Sequence, residues 1–173
     1  ILAEIKKEDF NDLLDVWCGT GPILSLLTQG FPDKHYVGLD LTPKMIEVAK
    51  KKKLKNVEFI VWDAEDLPFK ENSFDIVVCS QSFHHYPNPQ KFFDGVDKVL
   101  RPGGKLILRD MHLWKLLSYF VNYIELPFLN RLWYWDVRIY TKNDIQKLCA
   151  NSRLILESFE HRWMLKLHAV IRK

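Results

Sequence analysis

The chain lacks several features that would decide its class at once. No apolar run approaches the ~20 residues needed to span a bilayer, and no secretory leader pattern opens it. Its three cysteines, Cys18, Cys79 and Cys149, are far apart, odd in number and never spaced as C-x-x-C, which argues against a zinc site or a disulfide framework. Free thiols in a chain of this size predict a reducing, cytoplasmic setting. A strong charge of either sign is also missing: 25 basic residues against 22 acidic ones leave a net charge of +3, too little to imply a nucleic-acid partner. Internal repeats, low-complexity stretches and a second domain boundary are absent. What is present is ordinary globular composition, 47% hydrophobic and 27% charged over 173 residues, one domain's worth of chain. The first residue is Ile1, so the natural start is expected to lie upstream.

Short apolar runs alternate with helical patterns along the first two thirds. Strands are predicted at 13–16, 36–39, 57–61, 74–79 and 105–109, and helices at 22–29, 43–53 and 89–100. Pro22 and Pro43 suit first helical turns, and Thr42 is a predicted N-cap. Unbroken runs such as Phe74 to Cys79 read as strands buried on both faces of a parallel sheet. Strand–helix alternation predicts an α/β doubly wound sheet. Residues 111–136 then turn aromatic and irregular. Thr141 caps a last helix to about Ala150, and 154–159 with 163–171 read as an antiparallel ribbon.

The first strand runs into Asp15-Val16-Trp17-Cys18-Gly19-Thr20-Gly21 and then a helix. A Gly-bearing turn there exposes backbone N–H groups at a helix N-terminus and lets a ligand approach closely. Asp40 ends the second strand, 19 residues beyond Gly21, where an acid can accept hydrogen bonds from both ribose hydroxyls. Asp63 follows the third strand, placed for an adenine amino group. All three acids lie at carboxyl ends of strands, where ligands of open α/β sheets bind.

These segments resemble the class I S-adenosylmethionine-dependent methyltransferases, above all the small-molecule and quinone-type group. Leu13 to Gly21 looks like the family's first motif and Val37 to Met45 like its second. Asp63 to Phe69 looks like the adenine-side motif. Phe74 to Val78, His84-His85 and Leu100 to Leu106 resemble the fourth- and fifth-strand motifs. The resemblance implies a Rossmann-like three-layer sandwich with a seven-stranded, mostly parallel sheet whose last strand is antiparallel. It implies S-adenosylmethionine as cofactor, S-adenosylhomocysteine as product, no metal, and a small, fairly apolar acceptor. Carried over, Asp15, Gly19 and Gly21 shape the methionine side, Asp40 binds ribose, and Asp63 with the Ala64 backbone binds adenine. Cys18, Leu41 and Met45 complete the cofactor set, and Ser80 lines the pocket beside the sulfonium.

Two positions depart from the family pattern. Trp17 and Trp62 stand where it has glycine or another small residue. One reading has both indoles obstruct the cofactor pocket and leave a non-catalytic relative. The other turns them into neighbouring core. A left-handed backbone at Trp17 would cost on the order of 1–2 kcal/mol.

For acceptor chemistry, His84, His85 and Asp110 are weak catalytic candidates. A histidine has a pKa suited to taking a hydroxyl proton, yet two adjacent histidines are not expected to face one site. Asp110, at the end of the fifth strand, is better placed to touch substrate. His85, Asp110, Trp114, Tyr119 and Tyr123 form the substrate-side set, with 111–136 read as a lid, a core segment or a homodimer surface. The lysine run 50–53 with Lys55 reads as a solvated helix end, because no aromatics interleave it to grip RNA.

Overall fold

The computed structural model describes residues 1–111, 138–162 and 166–173, with the side chains of His161 and Arg162 left aside. The short α1 (Leu2–Ile5) precedes β1 (Asp12–Val16), α2 (Pro22–Gly30), β2 (His35–Asp40), α3 (Pro43–Lys51), β3 (Val57–Val61) and β4 (Phe74–Ser80). A 3₁₀ turn at Phe83–His85 leads to α4 (Pro89–Val99) and β5 (Leu100–Met111). A fifth helix, α5 (Lys142–Asn151), and the strands β6 (Ile155–Arg162) and β7 (Lys166–Arg172) follow. The seven strands lie in the order β3-β2-β1-β4-β5-β7-β6. The first five are mutually parallel, and β7 runs antiparallel between β5 and β6. This is the sheet expected from the sequence.

Alternation along each strand builds the two outer layers. Leu13, Ile76, Val78 and Ile107 face α2 and α3 with Leu24, Leu27, Ile46 and Ala49. Leu14, Val16, Val77, Cys79, Leu106 and Leu108 face α4 and α5 with Phe92, Phe93, Val96 and Ile145. All three cysteines are free and buried. Thr141 caps α5 in a full capping box with Asp144.

Two local expectations are corrected, and one element is new. Thr42 sits at the N-cap of α3 but makes no side-chain cap bond; its own N–H is held instead by Asp40 Oδ1 at 2.8 Å. The fifth strand begins at Leu100 rather than at 105, because the chain passes Pro102-Gly103-Gly104 through a register shift against β4 instead of leaving the sheet. The 3₁₀ turn carrying His84 and His85 was not predicted at all, since three residues show no periodicity. Among the described residues, no helix is long and apolar enough to cross a membrane.

Candidate cofactor and methyl-transfer site

Strand register gathers the predicted residues. Val16 pairs with Leu39 on one side and Cys79 on the other. Asp40 pairs with Val61, and Ser80 with Arg109. Trp62, Leu41, Trp17 and Gln81 therefore leave the sheet in one row at the carboxyl ends of four parallel strands, with Asp110 one residue before the end of β5. The order reverses between β1 and β4, and that switch point is where open α/β sheets bind their ligands.

On the β1 side, Trp17 has φ of 60° and Gly19 and Gly21 have φ of 56° and 74°. The left-handed strain at Trp17 is therefore real, and Gln81 repeats it at the end of β4 with φ of 62°. Strained non-glycine backbone collects at functional sites. At Gly21 a Cβ would meet the Phe59 ring at 2.9 Å, so packing as well as φ requires glycine there. Asp15 is 1% exposed, and its Oδ2 has no hydrogen-bond partner among the described residues. Burial first, then the nearby Asp40 charge, push its carboxyl up to about 8.

Asp40 is equally buried. Its Oδ2 accepts the Gly19 N–H at 2.9 Å and its Oδ1 the Thr42 N–H at 2.8 Å. It thus ties the first turn to the second, a duty the sequence does not advertise. Each oxygen keeps one further acceptor position. Cys18 is buried and its thiol is pushed up out of the titrating range, chiefly by burial. Leu41, Met45 and Trp62 are exposed, and the Trp62 indole N–H donates to the Asp66 carbonyl at 2.6 Å. That ring lies over its own turn and does not enter the core. Asp63 is exposed and accepts the Glu65 N–H, while Ala64 is buried. Ser80 is half-buried at the end of β4.

Across the switch point, the Trp17 indole stacks on His85 with ring centroids 5.9 Å apart and an interplanar angle of 23°. Tyr86 lies 5.7 Å from the same indole. His84 and His85 have ring centroids 3.9 Å apart, brought together by the 3₁₀ turn that carries them. Burial and the neighbouring His84 hold His85 below the usual imidazole range. Asp110 stands beside His84. It is 1% exposed, and its oxygens accept the His84 N–H at 2.8 Å, the His84 ring Nδ1 at 2.6 Å and the Met111 N–H at 2.6 Å. Trp114, Tyr119, Tyr123 and nearly all of the predicted lid lie outside the described residues.

The residues present fit S-adenosylmethionine. The orphaned, buried Asp15 oxygen suits an ammonium donor, and Leu41, Met45 and Trp62 leave apolar surface for a purine face. No group of metal-binding side chains occurs among the described residues. A concavity of about 310 Å³, lined by Lys50, Lys53, Leu54, Val57, Glu58 and Phe59, reaches the amino end of β3, away from this row.

Known proteins agree with the geometry. The family described as a methyltransferase domain matches residues 14–108. The chain is 42% identical over 100 residues to the phthiotriol/phenolphthiotriol dimycocerosates methyltransferase of Mycobacterium leprae, covering 57% of this chain and 37% of that one. It is 31% identical over 147 residues to the demethylmenaquinone methyltransferase of Thermotoga maritima, covering 81% and 62%. It therefore spans less than two thirds of the length of either relative. Among solved structures, the YcgJ protein of Bacillus subtilis superposes with a TM-score of 0.77 at 29% identity, over 93% of this chain and 70% of that one. A putative methyltransferase of Bacillus halodurans shares the fold, with a TM-score of 0.80 at 22% identity over 99% of this chain and 96% of that one.

Proposed function

We propose, from the premise that this chain belongs to the methyltransferase domain family, that it binds S-adenosylmethionine and transfers the methyl group to a small, apolar acceptor. The observation that carries this reading is the row of strand ends that brings Asp15, Asp40 and the 62–64 turn to one edge, with the Asp15 Oδ2 buried and unpartnered. In it Asp15 receives the cofactor's amino group, and the Cys18, Gly19 and Gly21 turn lies against its methionine part. Asp40 offers its remaining acceptor positions to the ribose diol. Leu41, Met45 and Trp62 flank the purine, which Asp63 and the Ala64 backbone read at its polar edge. Ser80 borders the methyl group. The bound cofactor supplies a methyl already activated on a sulfonium. The chain's own task is then to hold the two reactants in line and keep water out. Relatives named for dimycocerosates and for demethylmenaquinone favour an apolar acceptor, with Trp114, Tyr119 and Tyr123 assigned to its side from sequence alone.

A second reading is favoured by one observation: the Trp17–His85 stack bridges the switch point. In that reading the pocket is closed and the protein is a non-catalytic relative. Calorimetric titration with S-adenosylmethionine and S-adenosylhomocysteine separates the two. Micromolar binding to the chain as it stands supports the enzyme. Binding only after Trp17→Gly, alone or with Trp62→Gly, supports closure by the indoles. No binding to any form removes the methyltransferase reading.

A further inference from the structure

We infer that the acceptor presents a hydroxyl group, and that His84, positioned by Asp110, takes the proton of that hydroxyl as the methyl arrives. This rests on the methyl-transfer reading above and narrows it from any small apolar molecule to an alcohol or phenol.

A carboxylate held at 1% exposure is costly unless its oxygens are bonded. Asp110 meets that requirement with two backbone N–H groups and one imidazole. Two N–H groups would suffice to pin a turn. The third partner, His84 Nδ1 at 2.6 Å, adds something a turn does not need. A carboxylate only accepts, so the hydrogen-bond network assigns the ring proton to Nδ1 and leaves the Nε2 lone pair for another proton. The same carboxylate then stabilises the imidazolium that proton capture creates. The second nitrogen of a histidine takes its character from the hydrogen bond made by the first.

Position supports the same role. Asp110 and Met111 are the last two residues of β5, and the Met111 N–H is bonded to Asp110. The Arg138 N–H donates to the His84 carbonyl at 3.0 Å. From the switch point outward, Trp17, His85, His84 and Asp110 form successive layers. His85 is the poorer base of the two, since one face is covered by the indole and burial disfavours its protonated form.

The step balances without a further reactant. The acceptor O–H proton passes to His84 Nε2. The oxygen lone pair forms the new O–CH₃ bond as the C–S bond breaks, and that bond's electron pair stays on sulfur as a neutral thioether. The imidazolium later returns its proton to water. Asp110 from β5 and His85 from its own turn face His84, and Arg138 adjoins its carbonyl.

The test uses the purified chain, methyl-labelled S-adenosylmethionine and 4-octylphenol as acceptor. The expected product is the methyl ether. His84→Asn keeps a side-chain N–H for Asp110 and removes the base. It should lower kcat by about 10²–10⁴-fold, with the KM for the phenol and the calorimetric Kd for S-adenosylmethionine nearly unchanged. Asp110→Asn should also lower kcat and weaken the Nδ1–H preference of His84 seen by ¹⁵N NMR. One check needs no variant: ¹⁵N NMR of the protein alone should show His84 protonated at Nδ1 and bare at Nε2. The inference is overturned by the opposite tautomer, by a His84→Asn enzyme within about threefold of the parent, or by methyl appearing on ring carbon. It is overturned equally by cofactor binding without ether formation, and in that case the methyltransferase reading stands. If neither the chain nor its Trp17→Gly form binds the cofactor, both readings fall.

Discussion

Asp15 is the residue whose chemistry is most altered by its surroundings. Its carboxyl is raised from 3.8 to about 8, mainly by burial. A carboxyl whose pKa is higher in the folded than in the unfolded protein contributes stability that is fully present below the unfolded value and is lost as pH rises through the folded one. The melting temperature should therefore fall between about pH 4 and pH 8, and Asp15→Asn should flatten that slope. Melting curves across the range check it, and equal slopes for parent and variant would count against the buried acid. An ammonium placed beside Asp15 would favour its ionised form, so cofactor binding near pH 7 should release a proton. Titrations in buffers of different ionisation enthalpy measure that release. Asp15 is legible in the sequence as part of a turn motif, but its unpartnered oxygen is not, because that depends on which neighbours approach Oδ2. Trp17 is legible as a departure, and its positive φ follows from the glycine-like turn. Its stack on His85 is not, since the two lie far apart along the chain.

At the scale of elements, packing of β2 against its neighbours depends on a missing side chain. A Cβ on Gly38 would stand 2.7 Å from the Phe59 ring and 2.8 Å from Leu24. Its backbone φ is unremarkable, so the constraint is volume. Gly38→Ala should cost about 1–3 kcal/mol through overpacking, whereas Thr141→Ala should cost about 1 kcal/mol through loss of the α5 cap. Urea unfolding checks both. Phe59→Leu in the Gly38→Ala background should recover part of the loss if volume is the cause. Strands β1, β2 and β4 are legible because their runs are largely apolar and buried and are bounded by turn residues, and β3 because its run is rich in β-branched and aromatic residues. The start of β5 is hidden by Pro102-Gly103-Gly104, which read as punctuation. Gly104 lies so close to the Asp75 and Arg101 carbonyls that a Cβ would meet both at 2.9 Å. A glycine that ends elements in most contexts here lets a strand pass a crowded point.

For the whole molecule, the strand order is what turns scattered residues into a site. Motif spacing makes the cofactor side readable, since consecutive strands β1, β2 and β3 are neighbours in the sheet. The His84–Asp110 pair is not readable, because it depends on a three-residue turn without periodicity after β4. The same topology separates two halves of the site. In the proposed binding mode purine and ribose meet the ends of β2 and β3, whereas the methionine part crosses the β1/β4 switch point, where Trp17 stacks on His85. A ligand that binds only the folded state at about 100 times its Kd adds ~2.7 kcal/mol, or roughly 5–11 °C in Tm for a chain of this size. If the switch point is open, saturating S-adenosylmethionine should produce such a shift, and adenosine a smaller one. If the indole closes it, S-adenosylmethionine should stabilise no more than adenosine does, and Trp17→Gly should separate the two ligands again. A scan with both ligands on both proteins decides between these outcomes. Failure of adenosine to move either melting curve at millimolar concentration would mean that the β2 and β3 ends do not hold a nucleoside.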